Sequence, residues 1–221
     1  MKRTNKPNWL FAALFFCGIS QTASSQTLKD VFTNSETPIF YLGIDFTKAR
    51  VINDPGANAM DIRNRLFASI NSVVVTEAKK YDIANAFHKN FVGSDLSAVN
   101  TNNEKVNAEN ILSGNASDFN RLKETDIMSA VKALNLGDKK GLGLLFVMEG
   151  MKKDDKKGEA SIWATIIDMK TKKVLLTERF ESKAVGIGFR NFWASTIKET
   201  LDEIEKKKYK EWKKTYGENN N

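Results

Sequence analysis

Three stretches decide the fold class of this 221-residue chain: Leu142-Gly143-Leu144-Leu145-Phe146-Val147-Met148, Ala160-Ser161-Ile162-Trp163-Ala164-Thr165-Ile166-Ile167-Asp168 and Val174-Leu175-Leu176-Thr177-Glu178-Arg179-Phe180. The first is densely apolar, the second alternates in part, and the third is again rich in strand formers; none keeps the three- and four-residue spacing of a helix. They read as three strands in succession, and two hairpins are the economical way to join them. The first loop is the charged stretch Lys152 to Gly158. The second is the tight Asp168-Met169-Lys170-Thr171-Lys172, where the Asp168 carboxylate can accept backbone hydrogen bonds and start the turn.

Working outward, Ile39 to Phe46 is rich in β-branched and aromatic residues without helical period, as expected of a strand buried on both faces. Thr27 to Asn34 reads as a short helical lead-in to it. After it, Asn53-Asp54-Pro55-Gly56 breaks the chain before a long helix, in which Ile62, Leu66, Ile70 and Val73, flanked by Met60, Phe67 and Val74, make one apolar stripe. A second helical piece is expected near Tyr81 to Lys89, where Ile83 and Phe87 stand four apart. Phe189, Trp193, Ile197, Leu201 and Ile204 form the clearest helix, which runs into a charged end carrying Tyr209 and Trp212 and should close the core. The expected fold is therefore α/β (α+β): a mixed sheet of about four or five strands packed against two long helices and shorter ones, as one domain over residues 26–217.

Residues 90–124 break this regularity. The stretch is rich in asparagine, poor in large apolar residues and without sustained period, so it reads as an excursion over the surface, with a possible short strand near Asp95 to Val99 and a short helix near Val106 to Leu112. Asn115-Ala116-Ser117 matches a glycosylation acceptor, a pattern short enough to arise by chance. Order returns at Thr125, an expected cap for a short helix with Ile127, Val131 and Leu134 inward and Gly137 as a left-handed terminator.

The first twenty-five residues read as a secretory leader. Lys2, Arg3 and Lys6 form a basic start, Trp9 to Ile19 is apolar, and Gln21 to Gln26 is small and polar, with Ala23 and Ser25 three and one positions before an expected mature start at Gln26. The apolar run is about half of the roughly 20 residues needed to cross a bilayer. Cys17 offers a rival reading as a lipidated cysteine, but Phe15 and Phe16 fill positions where such signals carry small residues. If Cys17 leaves with the leader, the mature chain has no thiol for a disulfide, a nucleophile or a metal. The last residues, 218–221, are expected to be disordered.

The formal charge is +7, with 34 Lys and Arg against 27 Asp and Glu. Much of the excess lies in three runs, Lys152 to Lys157, Lys170 to Lys173 and Lys206 to Lys214, expected at hairpin tips and a solvated helix end, or in contact with an anionic membrane surface. Nucleic acid is a poor partner for an exported protein.

No complete catalytic or cofactor constellation is present. His88 is the only histidine, so a histidine pair for zinc is missing, and no serine lies in a Gly-x-Ser-x-Gly elbow. Gly186 and Gly188 precede the closing helix and could expose backbone amides to an anion, with Arg190 beside them. A dinucleotide fingerprint would need glycine where Asn191 stands, so a turn with positive φ is the plainer reading. Asp45 and Glu149, near strand ends, are the carboxylates that could serve as acid and base if they shared a cleft with Arg190.

The order of these elements, with the hairpin Ile166-Ile167-Asp168-Met169-Lys170-Thr171-Lys172-Lys173-Val174-Leu175, resembles the amino-terminal domain of TolB and the related core of the curli-secretion lipoprotein CsgG. Lys172 stands where that hairpin usually carries glycine. CsgG-like proteins keep a lipidated cysteine and pore-forming strands, and TolB has propeller repeats; none of these is evident here. The resemblance implies an envelope interaction domain and transfers no functional residue. The expected function is thus a non-enzymatic exported module that binds an envelope protein through the sheet edge or the asparagine-rich excursion. A small-ligand-binding protein or hydrolase built on Asp45, Glu149 and Arg190 is the alternative.

Overall fold

The computed structural model describes residues 27–154 and 157–217; the expected leader with Cys17 and the expected disordered tail lie outside the described residues. In chain order the elements are helix α1 (Leu28–Thr33), strands β1 (Ile39–Asp45) and β2 (Arg50–Ile52), the long helix α2 (59–76), α3 (Ile83–Ala86), β3 (Val92–Ser94), α4 (Ser97–Asn103), β4 (Leu112–Ser113), α5 (Glu124–Ala133), β5 (Leu142–Asp154), β6 (Lys157–Asp168), β7 (Lys173–Ala184) and the closing helix α6 (189–217). Ile62–Leu66 within α2, and Ile204–Lys208 and Lys213–Gly217 within α6, are wound as π-helix.

The three strands that the sequence marks form an antiparallel meander, but they are longer than their apolar cores. β5 and β6 pair from Leu142 opposite Asp168 to Asp154 opposite Lys157, so most of the expected charged loop is strand. The tight turn forms as expected: Thr171 N donates to Asp168 Oδ1 at 3.0 Å, and Lys172 takes φ +55°, the left-handed conformation that favours glycine.

The sheet has seven strands, more than the four or five expected, because short strands lie end to end. β1 pairs parallel with Leu142 to Val147 of β5, and β2 pairs parallel with Gly150 to Lys152 along the same side. β3 extends the sheet beyond β1, and β4 beyond β2. The sheet is thus five positions wide, with a seam where β1 gives way to β2. Periodicity could not reveal β2, β3 or β4, which are three, three and two residues long.

Alternation divides the strands between two cores. Ile39, Tyr41, Ile44, Leu144, Phe146, Ile162 and Ile166 face α2 and α6, whose Phe67, Ile70, Trp193, Ile197 and Leu201 complete that layer. Leu42, Leu145, Val147, Trp163 and Ile167 face the other way, under α4 and α5. Met60, expected beside the α2 stripe, is exposed, and α3 is shorter than the expected 81–89 helix. Thr125 lies inside α5 and does not cap it; the start is closed by Lys123 N donating to Asp126 Oδ2 at 2.8 Å, and Gly137 takes φ +56° as expected. Asp95 to Val99 is a turn leading into α4, with the strand falling earlier at β3.

Tyr41 is buried and its hydroxyl has no hydrogen-bond partner. Tyr41→Phe is therefore expected to leave stability unchanged or raise it by up to about 1 kcal/mol, because no bond is lost and a desolvated hydroxyl is removed. A urea titration checks this, and a loss above about 1 kcal/mol would show that the hydroxyl is paired in solution.

Candidate functional site

The seam between β1 and β2 explains both carboxylates. Between them, Phe46 to Ala49 leave the ladder, and among the described residues no strand flanks the outer edge of Ile44 to Phe46. Asparagine side chains replace it. Asn71 on α2 accepts from Ile44 N at 2.6 Å and donates to Ile44 O at 3.1 Å; Asn103 on α4 accepts from Phe46 N at 2.8 Å and donates to the same Ile44 oxygen at 2.9 Å. Asp45 stops the strand by accepting from Thr47 N at 2.7 Å and receives Asn102 Nδ2 at 3.3 Å. Burial pushes the Asp45 pKa up, opposed by these hydrogen bonds and by the charge of Lys48.

Glu149 sits at the same seam on β5. It is the extra residue of a bulge, since Met148 opposes Ile162 and Gly150 opposes Ser161. Its fully buried carboxylate accepts from Ser161 Oγ at 3.0 Å, Trp163 Nε1 at 2.9 Å and Arg179 Nε at 3.1 Å, and from Leu122 N. The Arg179 guanidinium lies 4.6 Å from the Trp163 ring centroid and also donates to Leu122 O. Gly150 lets the 3-10 turn Ala116–Asn120 lie on the sheet here, because a Cβ would come within 2.8 Å of the Phe119 backbone. Arg121 fastens the same turn, donating to Glu149 O at 3.3 Å, Asp118 O at 3.0 Å and Lys48 O. Glu149 Oε1 and its carbonyl oxygen thus hold Leu122 and Arg121 against the sheet, while Oε2 is satisfied by Ser161, Trp163 and Arg179 of the sheet itself.

Arg190 is elsewhere. It lies on α6, which packs on the opposite face, and its Nε donates to neighbouring Asn191 Oδ1 at 3.0 Å. The structure places Asp45 and Glu149 on one face of the sheet and Arg190 on the other, so the three form no common cleft. His88 stacks on Tyr209 at 4.1 Å between ring centroids. Among the described residues no group of three His, Cys, Asp or Glu stands close enough to hold a metal ion, and no helix is long and apolar enough to cross a membrane.

The concave feature nearest the sequence candidates is a groove of about 610 Å³ where β2, β5 and β7 end. Gly186 and Gly188 border it with φ +127° and +76°, a backbone that L side chains rarely adopt. Phe189, Phe192 and Trp193 line one side, and Asp54 and Lys153, paired at 3.1 Å, the other. Ile187, between the glycines, is 91% exposed, and Val185 is 68% exposed. Open parallel sheets place binding crevices outside the carboxyl ends of their strands, where this groove lies. The sequence reading singled out the two glycines but not Asp54, Lys153 or Phe192, because residues from four elements meet here only after folding.

No protein-family model matches the chain, and no curated protein matches it. Among solved structures, a neuraminyllactose-binding hemagglutinin homolog from Helicobacter pylori aligns with 84% of this chain and 91% of its own, at 10% identity and a TM-score of 0.34. Lipoprotein GNA1162 from Neisseria meningitidis aligns with 76% of this chain and 99% of its own, at 12% identity and a TM-score of 0.28. Likenesses this weak assign neither family nor function.

Proposed function

We propose that this chain is an exported, non-enzymatic envelope protein that docks a protein partner through the 185–188 loop and the groove beside it. The observation that carries this reading is the exposure of Ile187 and Val185 at the rim of an apolar-lined groove. A large aliphatic side chain held in water between two glycines stabilises nothing in its own fold; burying it against a partner recovers roughly 1.5–3 kcal/mol. The Asp54–Lys153 pair on the far side supplies the polar rim that such interfaces have. The leader-like first twenty-five residues support export.

This reading moves the expected docking surface away from the asparagine-rich excursion. Within the excursion, Asn100 accepts from Asn71 on α2, Asn102 donates to Asp45 and Asn103 bonds the sheet backbone, which leaves these three little to offer a partner.

The test is cross-linking in producing cells with a tagged full chain, comparing wild type with Val185→Ser/Ile187→Ser. The double variant is expected to lose a specific partner at least about tenfold, as when an interface anchor is removed. Its melting temperature should stay within about 2 °C, because both side chains are exposed. Equal capture by the variant, or no protein captured by wild type, overturns the reading. A small molecule co-purifying with the groove in place of a protein favours the ligand-binding alternative.

A further inference from the structure

The two shorter lysine runs are engaged in part within the fold, with Lys157, Lys170 and Lys173 exposed. Lys152 pairs with Glu159 at 3.1 Å and Lys153 with Asp54 at 3.1 Å, while Lys172 Nζ donates to the Leu134 carbonyl oxygen at 2.5 Å, closing the end of α5. The third run is different. Along the last turns of α6, Ile204, Tyr209 and Trp212 are buried, with Tyr209 and Trp212 against the ring of Phe32, whereas Lys206, Lys207, Lys210, Lys213 and Lys214 are all exposed. Lys208 turns inward to Glu178 and Glu211, at 2.5 and 3.0 Å. Of the acids on this helix, Asp202 is 2.5 Å from Lys198 and 4.0 Å from Lys206, and Glu211 holds Lys208, while Glu199, Glu203 and Glu205 form no ion pair among the described residues. Among the described residues, no carboxylate lies within ion-pair distance of Lys207, Lys210, Lys213 or Lys214.

We infer that this helix face binds an anionic phospholipid surface. Tertiary packing of Tyr209 and Trp212 fixes the helix, so five ammonium groups are presented together without the ordering cost that a disordered basic tail would bear. They lie within nine residues, 206 to 214, about 12 Å of helix, comparable with the Debye length of about 8–10 Å, so all of them feel the same surface. Lysines are hydrated point charges suited to a diffuse layer of phosphates, whereas recognition of one carboxylate or phosphate favours the arginine fork. A protein partner would need an apolar centre on this face, and among the described residues only Tyr216, 38% exposed, borders it. The face lies at least eighteen residues, about 27 Å of helix, from the Gly188 end of α6, so it is separate from the protein-docking loop and stands or falls independently of it.

Co-sedimentation of the mature chain with vesicles tests this. Binding to vesicles containing phosphatidylglycerol is expected, with little binding to phosphatidylcholine alone, and it should fall steeply between about 0.05 and about 0.5 M salt. Each lysine near such a surface is worth about fivefold in affinity, so Lys207→Gln/Lys210→Gln/Lys214→Gln should lose about 100-fold, while the corresponding triple arginine variant retains binding. The glutamine variant removes no internal ion pair, and an unchanged melting curve confirms its fold. Equal binding to both vesicle types, undiminished binding by the glutamine variant, or binding to duplex DNA in preference to vesicles would each overturn the assignment.

Discussion

Glu149→Ala is expected to lower the unfolding free energy by about 3–5 kcal/mol. The carboxylate is fully buried and receives hydrogen bonds from Ser161, Trp163, Arg179 and Leu122. Removing it leaves a part-buried guanidinium without its counter-charge and an indole and a backbone N–H without acceptors, so the penalty exceeds that of an ordinary lost hydrogen bond. Chemical denaturation measures the effect. If Arg179 is removed as well, in Glu149→Leu/Arg179→Leu, part of the stability should return, because no unpaired charge then remains. A loss below about 1 kcal/mol for Glu149→Ala would mean that water takes the carboxylate's place and that the 116–122 segment is held by other contacts.

The second large effect is expected at Asn71. Asn71→Leu keeps the number and branching of side-chain heavy atoms but deprives Ile44 of partners for both its N–H and, in part, its carbonyl, at a cost of about 2–4 kcal/mol. Asn100→Ala, whose side chain only accepts from Asn71, should cost markedly less, about 1 kcal/mol. Measuring both in one urea series separates a strand substitute from an ordinary polar contact. Equal small losses at the two positions would show that the seam is supported by backbone alone.

These two sites show why the sequence was legible in some places and not in others. The β5–β7 meander was readable because long apolar runs bounded by turn residues carry their own signature, and the Asp168 turn announced itself by residue type. The stripes of α2 and α6 were readable through their spacing. By contrast, β2, β3 and β4 exist only because β5 and β1 offer them an edge, and strands of two or three residues have no period to detect. The asparagines of the 90–124 region looked like loop composition; their role as substitutes for a missing strand depends on Asn103 reaching residues nearly sixty positions away.

The candidate residues divide in the same manner. Gly186 and Gly188 could be picked out because positive φ is a local property, and both adopt it. Asp45 and Glu149 were picked out as acids near strand ends, but whether an acid near a strand end is free or saturated depends on what folds over it. Leu122, Ser161, Trp163 and Arg179 reach Glu149 from three separate segments.

Thus the sequence alone determined the α/β class, the meander, the two long amphipathic helices and the glycine turn before the second of them, since each follows from local conformational preference and hydrophobic period. Tertiary structure alone decided the seven-stranded order with its seam, the burial of both carboxylates, and the separation of Arg190 from them. It also decided that five lysines of the last run stand exposed on a helix pinned by Tyr209 and Trp212. The physical reason is that hydrogen-bond satisfaction and charge pairing act between groups close in space, whatever their separation along the chain.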